Sequence, residues 1–153
     1  MQLGMIGLGR MGANMAQRLM RGGQQVVGFD PKAEARKDLE GNGAETADSL
    51  AALIAKLPIP RTLWLMVPAG EITDQTLASL LPLLLSGDTV VDGGNSNYKD
   101  TLRRAKTFVG QNIHYIDCGT SGGVWGLEGG YSPDYASGMN KSALAVAQVV
   151  EIA

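Results

Sequence analysis

Hydrophobic and polar positions along this chain alternate between two kinds of segment. Short apolar runs of strand length occupy residues 2–6, 25–29, 62–67, 88–92 and 113–117. Segments with helical spacing of apolar residues occupy residues 10–21, 31–40, 48–56, 71–84 and 98–109. Strands that alternate with helices indicate βαβ units and a mainly parallel sheet with helices on both of its faces. We therefore expect an α/β protein with a doubly wound sheet.

Local signals refine the ends of several predicted elements. Pro31 suits the first turn of the second helix, because a residue there needs no N–H donor. Asp48 is a candidate N-cap for the third helix, since its carboxylate can accept from the first free amides. Residues 62–67, TLWLMV, form a continuous apolar run of the buried-strand type. Residues 141–153 have the apolar spacing of a terminal helix. A domain of this type would usually add at least one more strand in this part of the chain.

Glycine is unusually abundant and unevenly placed. The chain holds 21 glycines among its 153 residues, and they concentrate in 4–12, in 93–94 and in 117–132. The usual share of glycine is about 7%. Ordering glycine costs more conformational entropy than ordering other residues, so such concentrations need a reason. Their positions indicate loops whose backbone approaches a ligand closely.

The first of these concentrations is the pattern G-L-G-R-M-G, which follows the first strand and opens the first helix. Gly7 allows the tight turn, Gly9 lets the backbone approach a pyrophosphate, and Gly12 lets the helix pack closely against the strand. The helix N-terminus adds free N–H groups and a partial positive charge. We predict a Rossmann-like dinucleotide site whose loop comprises Gly7, Leu8, Gly9, Arg10, Met11 and Gly12.

Asp30 lies 23 residues beyond Gly7, at the end of the second predicted strand. A carboxylate there would accept hydrogen bonds from the diol of an adenosine ribose. It would repel the 2′-phosphate of NADP unless cations screened it. Pro31 occupies the position where a phosphate-binding arginine could otherwise stand, although Lys32 could partly compensate. These residues favour NAD over NADP as the cofactor.

Three further stretches lie where predicted strands end, and ligands collect at that edge of a doubly wound sheet. Met66, Val67 and Pro68 would form an apolar wall beside the cofactor riboses, or they are a simple strand exit. Asn95 offers a donor and an acceptor that could orient a hydroxyl beside a nicotinamide, or it is a turn asparagine. The segment Ser121, Gly122 and Gly123 presents successive N–H groups and a hydroxyl, which suit a carboxylate.

Composition removes several other classes of function. The net charge of −2 gives no basic field for nucleic acid or an anionic membrane, and only eight aromatic residues are present. One cysteine and one histidine argue against a metal site built by the protein. The N-terminus lacks signal-peptide features and no apolar run reaches eighteen residues, so we expect a cytoplasmic protein.

Three other candidates have structural interpretations. We interpret His114 as a structural or surface residue, because it lies within the predicted strand, before its carboxyl end. Cys118 has no basic neighbour in the sequence and is interpreted as a small buried hydrophobe. Residues 99–106, KDTLRRAK, are expected to form a solvated helix face.

Three motifs together resemble those of the 6-phosphogluconate dehydrogenase family within the β-hydroxyacid dehydrogenases. They are MIGLGRMGANMAQRLMRGG at 5–23, DGGNS followed by Y-x-D-T at 92–101, and D-x-G-T-S-G-G-x-x-G-L-E-x-G-Y at 117–131. The last motif is similar to the shorter, bacterial branch of the family. The resemblance covers about residues 1–132, so 133–153 is an atypical tail. There, Pro133–Ser137 stands where the family usually has an apolar strand, which leaves the far edge of the sheet undefined.

The resemblance implies NAD(P)-dependent oxidation of the C3 hydroxyl of 6-phosphogluconate, followed by loss of CO2 to give ribulose 5-phosphate. It places Asn95 at the substrate near the nicotinamide, and Ser121, Gly122 and Gly123 at the sugar-acid end. It also implies a homo-oligomer for a full-length member. Asp30 departs from the asparagine-arginine pair common in members that use NADP, which again favours NAD.

The resemblance further implies that residues 1–153 are the dinucleotide-binding domain alone. The family's general base, a lysine, and its acid, a glutamate, lie in an all-helical domain that would follow residue 153. We therefore expect this chain to bind dinucleotide but to turn over very slowly or not at all. Two alternatives stay open: a dehydrogenase for another β-hydroxyacid, against which DGGNS argues, and a non-catalytic dinucleotide-binding module.

Overall fold

The computed structural model describes residues 1–121 and 132–137, with side chains described as far as Thr120. Its seven strands are β1 Gln2–Ile6, β2 Gln25–Phe29, β3 Glu45–Ala47, β4 Thr62–Leu65, β5 Thr89–Asp92, β6 His114–Ser121 and β7 Ser132–Ser137. Its helices are α1 Arg10–Arg21, α2 Ala33–Glu40, α3 Leu50–Lys56, α4 Glu71–Leu80 and α5 Tyr98–Val109, with a 3-10 turn at Leu81–Leu83.

The strands form one sheet in the order β3-β2-β1-β4-β5-β6-β7. Neighbours from β3 to β6 are parallel, and β7 runs antiparallel to β6. Because β1 pairs with β2 on one side and with β4 on the other, the direction in which the sheet grows reverses at β1. In open α/β sheets, ligands bind at such a reversal, beyond the carboxyl ends of the strands.

Two apolar cores cover the two faces of the sheet. One core joins Leu3 and Met5 of β1 to Met15 and Leu19 of α1 and to Leu39 of α2. The other core joins alternate strand residues to apolar side chains of the remaining helices, among them Ile6, Leu63, Leu53, Leu77 and Phe108. Side chains of one strand point alternately to opposite faces, so strands buried on both sides are apolar throughout. The expected doubly wound α/β fold is confirmed.

Most predicted elements are confirmed, and the shifted boundaries have physical reasons. Pro31 precedes α2 and does not enter its first turn, because Lys32 is the N-cap. Ser49, and not Asp48, caps α3: its Oγ accepts from the Ala52 amide at 3.2 Å. The helix predicted over 71–84 ends at Leu80, since Pro82 in the following 3-10 turn has no N–H to continue the α-helical bonds.

Two strands escaped the sequence analysis. β3 has three residues, Glu45–Ala47, and too few apolar positions to stand out. Residues 133–137 were expected to leave the sheet's far edge undefined, but β7 pairs there with β6 from Ser132 to Ser137. The outer edge of a sheet tolerates Pro133, because a strand there needs only one side for its hydrogen bonds. The helix expected over 141–153 lies outside the described residues.

Candidate functional site

A cleft of about 370 Å³ lies beyond the carboxyl ends of β1, β4 and β5. Three of the predicted loops meet there, and the cleft is lined by Gly9, Arg10, Met11, Gly12, Met66, Val67, Pro68, Gly93, Gly94 and Asn95. The predicted fourth loop begins at Ser121, the last residue of β6, whereas Gly122 and Gly123 lie outside the described residues. A depression of about 360 Å³ beside Gln2, Gln25 and Glu45 contains none of the predicted site residues.

Two glycines of the first loop are required by the protein's own packing. Gly7 has φ +92°, and a Cβ there would come within 2.5 Å of the Met66 carbonyl oxygen. A Cβ on Gly12 would overlap the carbonyl oxygen of Gly7. A positive φ and a backbone contact are both conditions that side chains tolerate poorly. These observations agree with the predicted tight turn and the predicted close contact of helix and strand.

Gly9 is different, because nothing among the described residues requires glycine at this position. Its φ is −61° and its ψ is −179°, which any residue can adopt. A Cβ there would meet no described atom within 4 Å. Gly9 is also the N-cap of α1, whose first turn has no capping side chain and no acidic residue. The open space and the uncapped helix N-terminus fit an anionic ligand that approaches the backbone.

The Asp30 carboxylate is held against the glycine loop. Its Oδ2 accepts from the Leu8 amide at 2.8 Å and its Oδ1 from the Lys32 amide at 2.9 Å. Arg36 donates from Nη1 to the Asp30 carbonyl oxygen at 2.7 Å and to that of Pro31 at 3.3 Å. The loop that follows β2 is therefore fixed on both sides, with the acid facing the first residues after β1.

Leu8 differs from the other residues of its loop. Its side chain is buried at 4% exposure, in the core that also contains Leu39. Its amide already donates to Asp30, and it does not line the cleft. In this structure Leu8 fixes the loop to the core and to Asp30.

The floor of the cleft is formed where the exits of β4 and β5 approach each other. A Cβ on Gly93 would lie 2.5 Å from Trp64 Nε1 and 2.7 Å from Met66 Sδ. A Cβ on Gly94 would lie 2.7 Å from the Val67 carbonyl oxygen. The two glycines of DGGNS thus allow two strand exits to pack closely, a packing role that the sequence analysis did not identify.

Asn95 stands at the rim of the cleft in a rare backbone conformation. Its φ is +53°, and only one other described residue that is not glycine, Asn112, has a positive φ. Asparagine tolerates the left-handed region better than most residues, and strained positions concentrate at functional sites. The side chain is exposed, and no hydrogen bond to another described residue engages its amide. Its donor and acceptor are available to a bound molecule.

A buried polar network holds the loop that carries Asn95. Asp92 is 0% exposed, and its Oδ1 accepts from the Gly94 amide at 3.1 Å. Its Oδ2 accepts from Ser96 Oγ at 2.7 Å, Tyr115 Oη at 2.9 Å and Arg104 Nη1 at 3.2 Å. Burial, with Asp92 beside it, raises the pKa of Tyr115 far above its usual value, so that phenol remains a donor.

Arg104 corrects the expectation of a solvated face over 99–106. The arginine is 3% exposed and Thr101 is 8% exposed. The hydrogen bond from Arg104 Nε to Asp74, 2.8 Å long, lowers the pKa of that carboxyl group. The spacing of Thr101, Arg104 and Phe108 is that of one helix face, and the apolar Phe108 was the sequence signal that this face is buried.

Neither Cys118 nor His114 lines the cleft. Cys118 is fully buried, which confirms its interpretation as a small buried hydrophobe, and burial raises the pKa of its thiol to about 11. His114 is the first residue of β6 and not a mid-strand residue, and it lies at the edge of the sheet opposite the cleft. Among the described residues, no helix is long and apolar enough to cross a bilayer.

The strand order, the glycine turn after β1 and the cleft at the reversal define a dinucleotide-binding α/β domain. Comparison with known proteins makes the assignment specific. The family model for the NAD binding domain of 6-phosphogluconate dehydrogenase matches residues 2–152, and the chain belongs to this family. The family resemblance seen in the sequence is thereby confirmed.

Several relatives carry the family name. The chain is 49% identical over 132 residues to the NAD(+)-dependent, decarboxylating 6-phosphogluconate dehydrogenase of Haloferax volcanii, covering 86% of this chain and 43% of that protein. It is 42% identical over 146 residues to the decarboxylating 6-phosphogluconate dehydrogenase of Haemophilus ducreyi, covering 92% of this chain and 30% of that protein. The chain thus spans less than half the length of these relatives.

Solved structures show the same fold. The 6-phosphogluconate dehydrogenase of Plasmodium falciparum, solved in forms that include a complex with NADP+, superimposes with a TM-score of 0.85 at 26% identity. The match covers 99% of this chain and 33% of that one. The 3-hydroxyisobutyrate dehydrogenase of Salmonella typhimurium gives a TM-score of 0.87 at 23% identity, covering 99% and 53%. The likeness to the Salmonella typhimurium protein shows a shared fold only.

Proposed function

We propose that this chain binds NAD in the cleft, as the cofactor domain of an enzyme that oxidises and decarboxylates 6-phosphogluconate to ribulose 5-phosphate. The observation that carries the proposal is the glycine at position 9. No described residue requires a glycine there, and the absent side chain leaves the backbone open at the N-terminus of α1. The names of the relatives from Haloferax volcanii and Haemophilus ducreyi support the reaction. The cofactor, when bound, would accept the hydride from the substrate.

The geometry supports a specific placement for each part of the cofactor. The pyrophosphate would lie on the free amides of Gly9–Gly12, where the α1 dipole favours negative charge. The adenosine ribose would lie beside Asp30. Met66, Val67 and Pro68 would contact the nicotinamide ribose with a mainly apolar surface, and the nicotinamide would extend toward Asn95.

The substrate would occupy the remaining side of the cleft. Asn95 would contact its hydroxyl near the nicotinamide, and Ser121, Gly122 and Gly123 would hold its carboxylate end. None of the described residues that line the cleft is a lysine, histidine, aspartate or glutamate, so none of them can serve as a general base. We propose that the base and the acid come from a helical domain that residues 1–153 do not include, in a protein that assembles as a homo-oligomer.

Ligand titrations of this chain test the proposal. We expect NAD+ to bind and to quench the emission of Trp64, whose indole is buried directly beneath Gly93 and Met66 of the cleft lining. Replacing Trp125 with phenylalanine makes Trp64 the single reporter. With NADH bound, 6-phosphogluconate should raise the melting temperature and 3-hydroxyisobutyrate should not, since only a ligand of the native state stabilises it. Absence of dinucleotide binding up to roughly 1 mM, the upper end of usual KM values, would refute the proposal.

We propose NAD rather than NADP as the preferred cofactor, and Asp30→Asn tests this preference. The substitution should weaken NAD binding, because hydrogen bonds to a charged group are worth about 1.5–3 kcal/mol. The loss corresponds to roughly 10- to 150-fold in affinity. NADP binding should improve or stay unchanged, since the carboxylate no longer repels the 2′-phosphate. Isothermal titration with both dinucleotides measures the ratio.

Asp38→Asn is the matched control for Asp30→Asn. It removes the same charge from an exposed position on α2, where only the backbone carbonyl of Asp38 accepts a side-chain hydrogen bond, from Asn42. The control should leave both affinities unchanged. A wild-type chain that binds NADP more tightly than NAD would contradict the preference and leave dinucleotide binding itself standing.

A further inference from the structure

The guanidinium group of Arg104 connects two of the loops that line the cleft. Arg104 Nη2 donates to the Gly70 carbonyl oxygen at 3.2 Å, in the loop that follows β4. Arg104 Nη1 donates to Asp92 Oδ2 at 3.2 Å, at the last residue of β5, and to Ser96 Oγ at 2.7 Å, in the loop that follows β5. The two loops supply Met66–Pro68 and Gly93–Asn95 to the cleft. The arginine is buried behind both loops and lines neither side of the cleft.

The network fixes the residues on both sides of Asn95. The Gly94 amide is held by Asp92 Oδ1, and the Ser96 hydroxyl is held by Asp92 Oδ2 while it accepts from Arg104. Asn95 lies between them with its φ of +53°, a conformation that persists only where the surroundings determine it. Without the guanidinium, Ser96 Oγ and the Gly70 carbonyl oxygen would each lose a hydrogen bond, and the two loops would lose the group that links them.

We infer that Arg104 is a positioning residue for the nicotinamide half of the cofactor site. It sets the separation of the loops after β4 and β5 and keeps the Asn95 amide directed at the ligand. The inference rests on the proposed function, since it assumes that a dinucleotide lies in the cleft. In the placement proposed above, the adenosine and the pyrophosphate would lie beside Asp30 and on the α1 N-terminus and not on either loop, so Arg104 should not affect their binding.

Lysine cannot reproduce this arrangement. The planar guanidinium donates from three nitrogens at fixed angles, and its Nε additionally binds Asp74 Oδ1 at 2.8 Å. A lysine ammonium keeps the charge beside Asp92 but concentrates its donors at one point. Arg104→Lys should therefore preserve the buried charge pair and only partly hold the two loops.

The neighbouring Arg103 provides a matched control. It also donates to Asp74, at 2.9 Å, and its second partner is Asp100 at 3.3 Å. Its side chain is 58% exposed, and it contacts neither loop of the cleft. Arg103→Met removes the same charge and a bond to the same aspartate, so it separates the effect of charge from that of loop positioning.

The first experiment compares two ligands: NADH, and ADP, which lacks both the nicotinamide ring and its ribose. Calorimetric titration should show that Arg104→Met weakens NADH binding roughly tenfold, equivalent to about 1.4 kcal/mol, and leaves ADP binding within error. Arg104→Lys should give an intermediate loss for NADH. Arg103→Met should change neither affinity. Equal weakening of both ligands by Arg104→Met would indicate a merely structural role and overturn the inference, as would no change in either.

The second experiment needs no ligand. Hydrogen exchange followed by mass spectrometry should show faster exchange in Arg104→Met at residues 68–70 and 93–97, with β1 and β2 unchanged. Arg103→Met should match the wild type. Unchanged exchange in both loops would overturn the inference even if the wild type binds NADH. A wild type that binds neither ligand would instead defeat the proposed function, and faster exchange would still show that Arg104 holds the loops.

Discussion

Replacing Gly9 with serine is expected to abolish most of the chain's affinity for NAD(H) while leaving its stability intact. No described residue accounts for glycine at this position, because a Cβ there meets no described atom within 4 Å. If a pyrophosphate lies against this backbone, the added Cβ and hydroxyl occupy its space. Overpacking of a close contact costs about 1–3 kcal/mol, so the affinity should fall roughly 5- to 150-fold.

Serine is the informative choice for this position because it is a preferred N-cap residue. Gly9 is the N-cap of α1 and already has the extended backbone that a capping serine adopts. The variant without ligand should melt at or slightly above the wild-type temperature, as thermal denaturation followed by circular dichroism will show. Gly41→Ser, at an α2 C-cap with φ −59°, is the matched control and should leave binding unchanged. Full NADH affinity in Gly9→Ser would place the pyrophosphate elsewhere.

The sequence predicted the parts of this structure that depend on local pattern. The parallel strands with clear apolar runs, the helices between them and the turn at Gly7–Gly12 follow from periodicity and glycine spacing. The edge of the sheet that would carry a ligand followed as well, because parallel strands present their carboxyl ends on one side. Asp30 was recognisable from its distance to Gly7 and from its position after an apolar strand.

What escaped the sequence analysis depends on contacts between distant residues. Nothing near Arg104 in the chain indicates that Asp74, 30 residues earlier, and Asp92, 12 residues earlier, would surround it. Its charged neighbours in KDTLRRAK are typical of a solvated helix, and only the fold shows which of them points inward. β7 was missed for a similar reason, since pairing with β6 compensates for its weak strand pattern.

Replacing Gly12 with alanine is expected to destabilise the whole domain, unlike the change at Gly9. The new Cβ would overlap the carbonyl oxygen of Gly7 and lie 3.2 Å from the Cβ of Met66. Backbone atoms cannot rotate away, so α1 has to move off the sheet and its core residues Met15 and Leu19 lose contacts. Overpacking at a backbone contact costs about 3 kcal/mol, which corresponds to a melting temperature roughly 6–12 °C lower.

Thermal denaturation without ligand measures this loss, and Gly41→Ala controls for the general effect of replacing glycine. At Gly41 the nearest atoms to a new Cβ are 3.5 Å away and φ is −59°, so alanine should be neutral or slightly stabilising. NADH binding by Gly12→Ala should also be lost, because the displaced helix carries the amides of the phosphate site with it. An unchanged melting temperature would show that α1 does not pack on β1 as closely as the structure has it. Loss of binding with full stability would instead make Gly12 a ligand contact like Gly9. The two substitutions together therefore separate the glycine that the fold requires from the glycine that the cofactor requires.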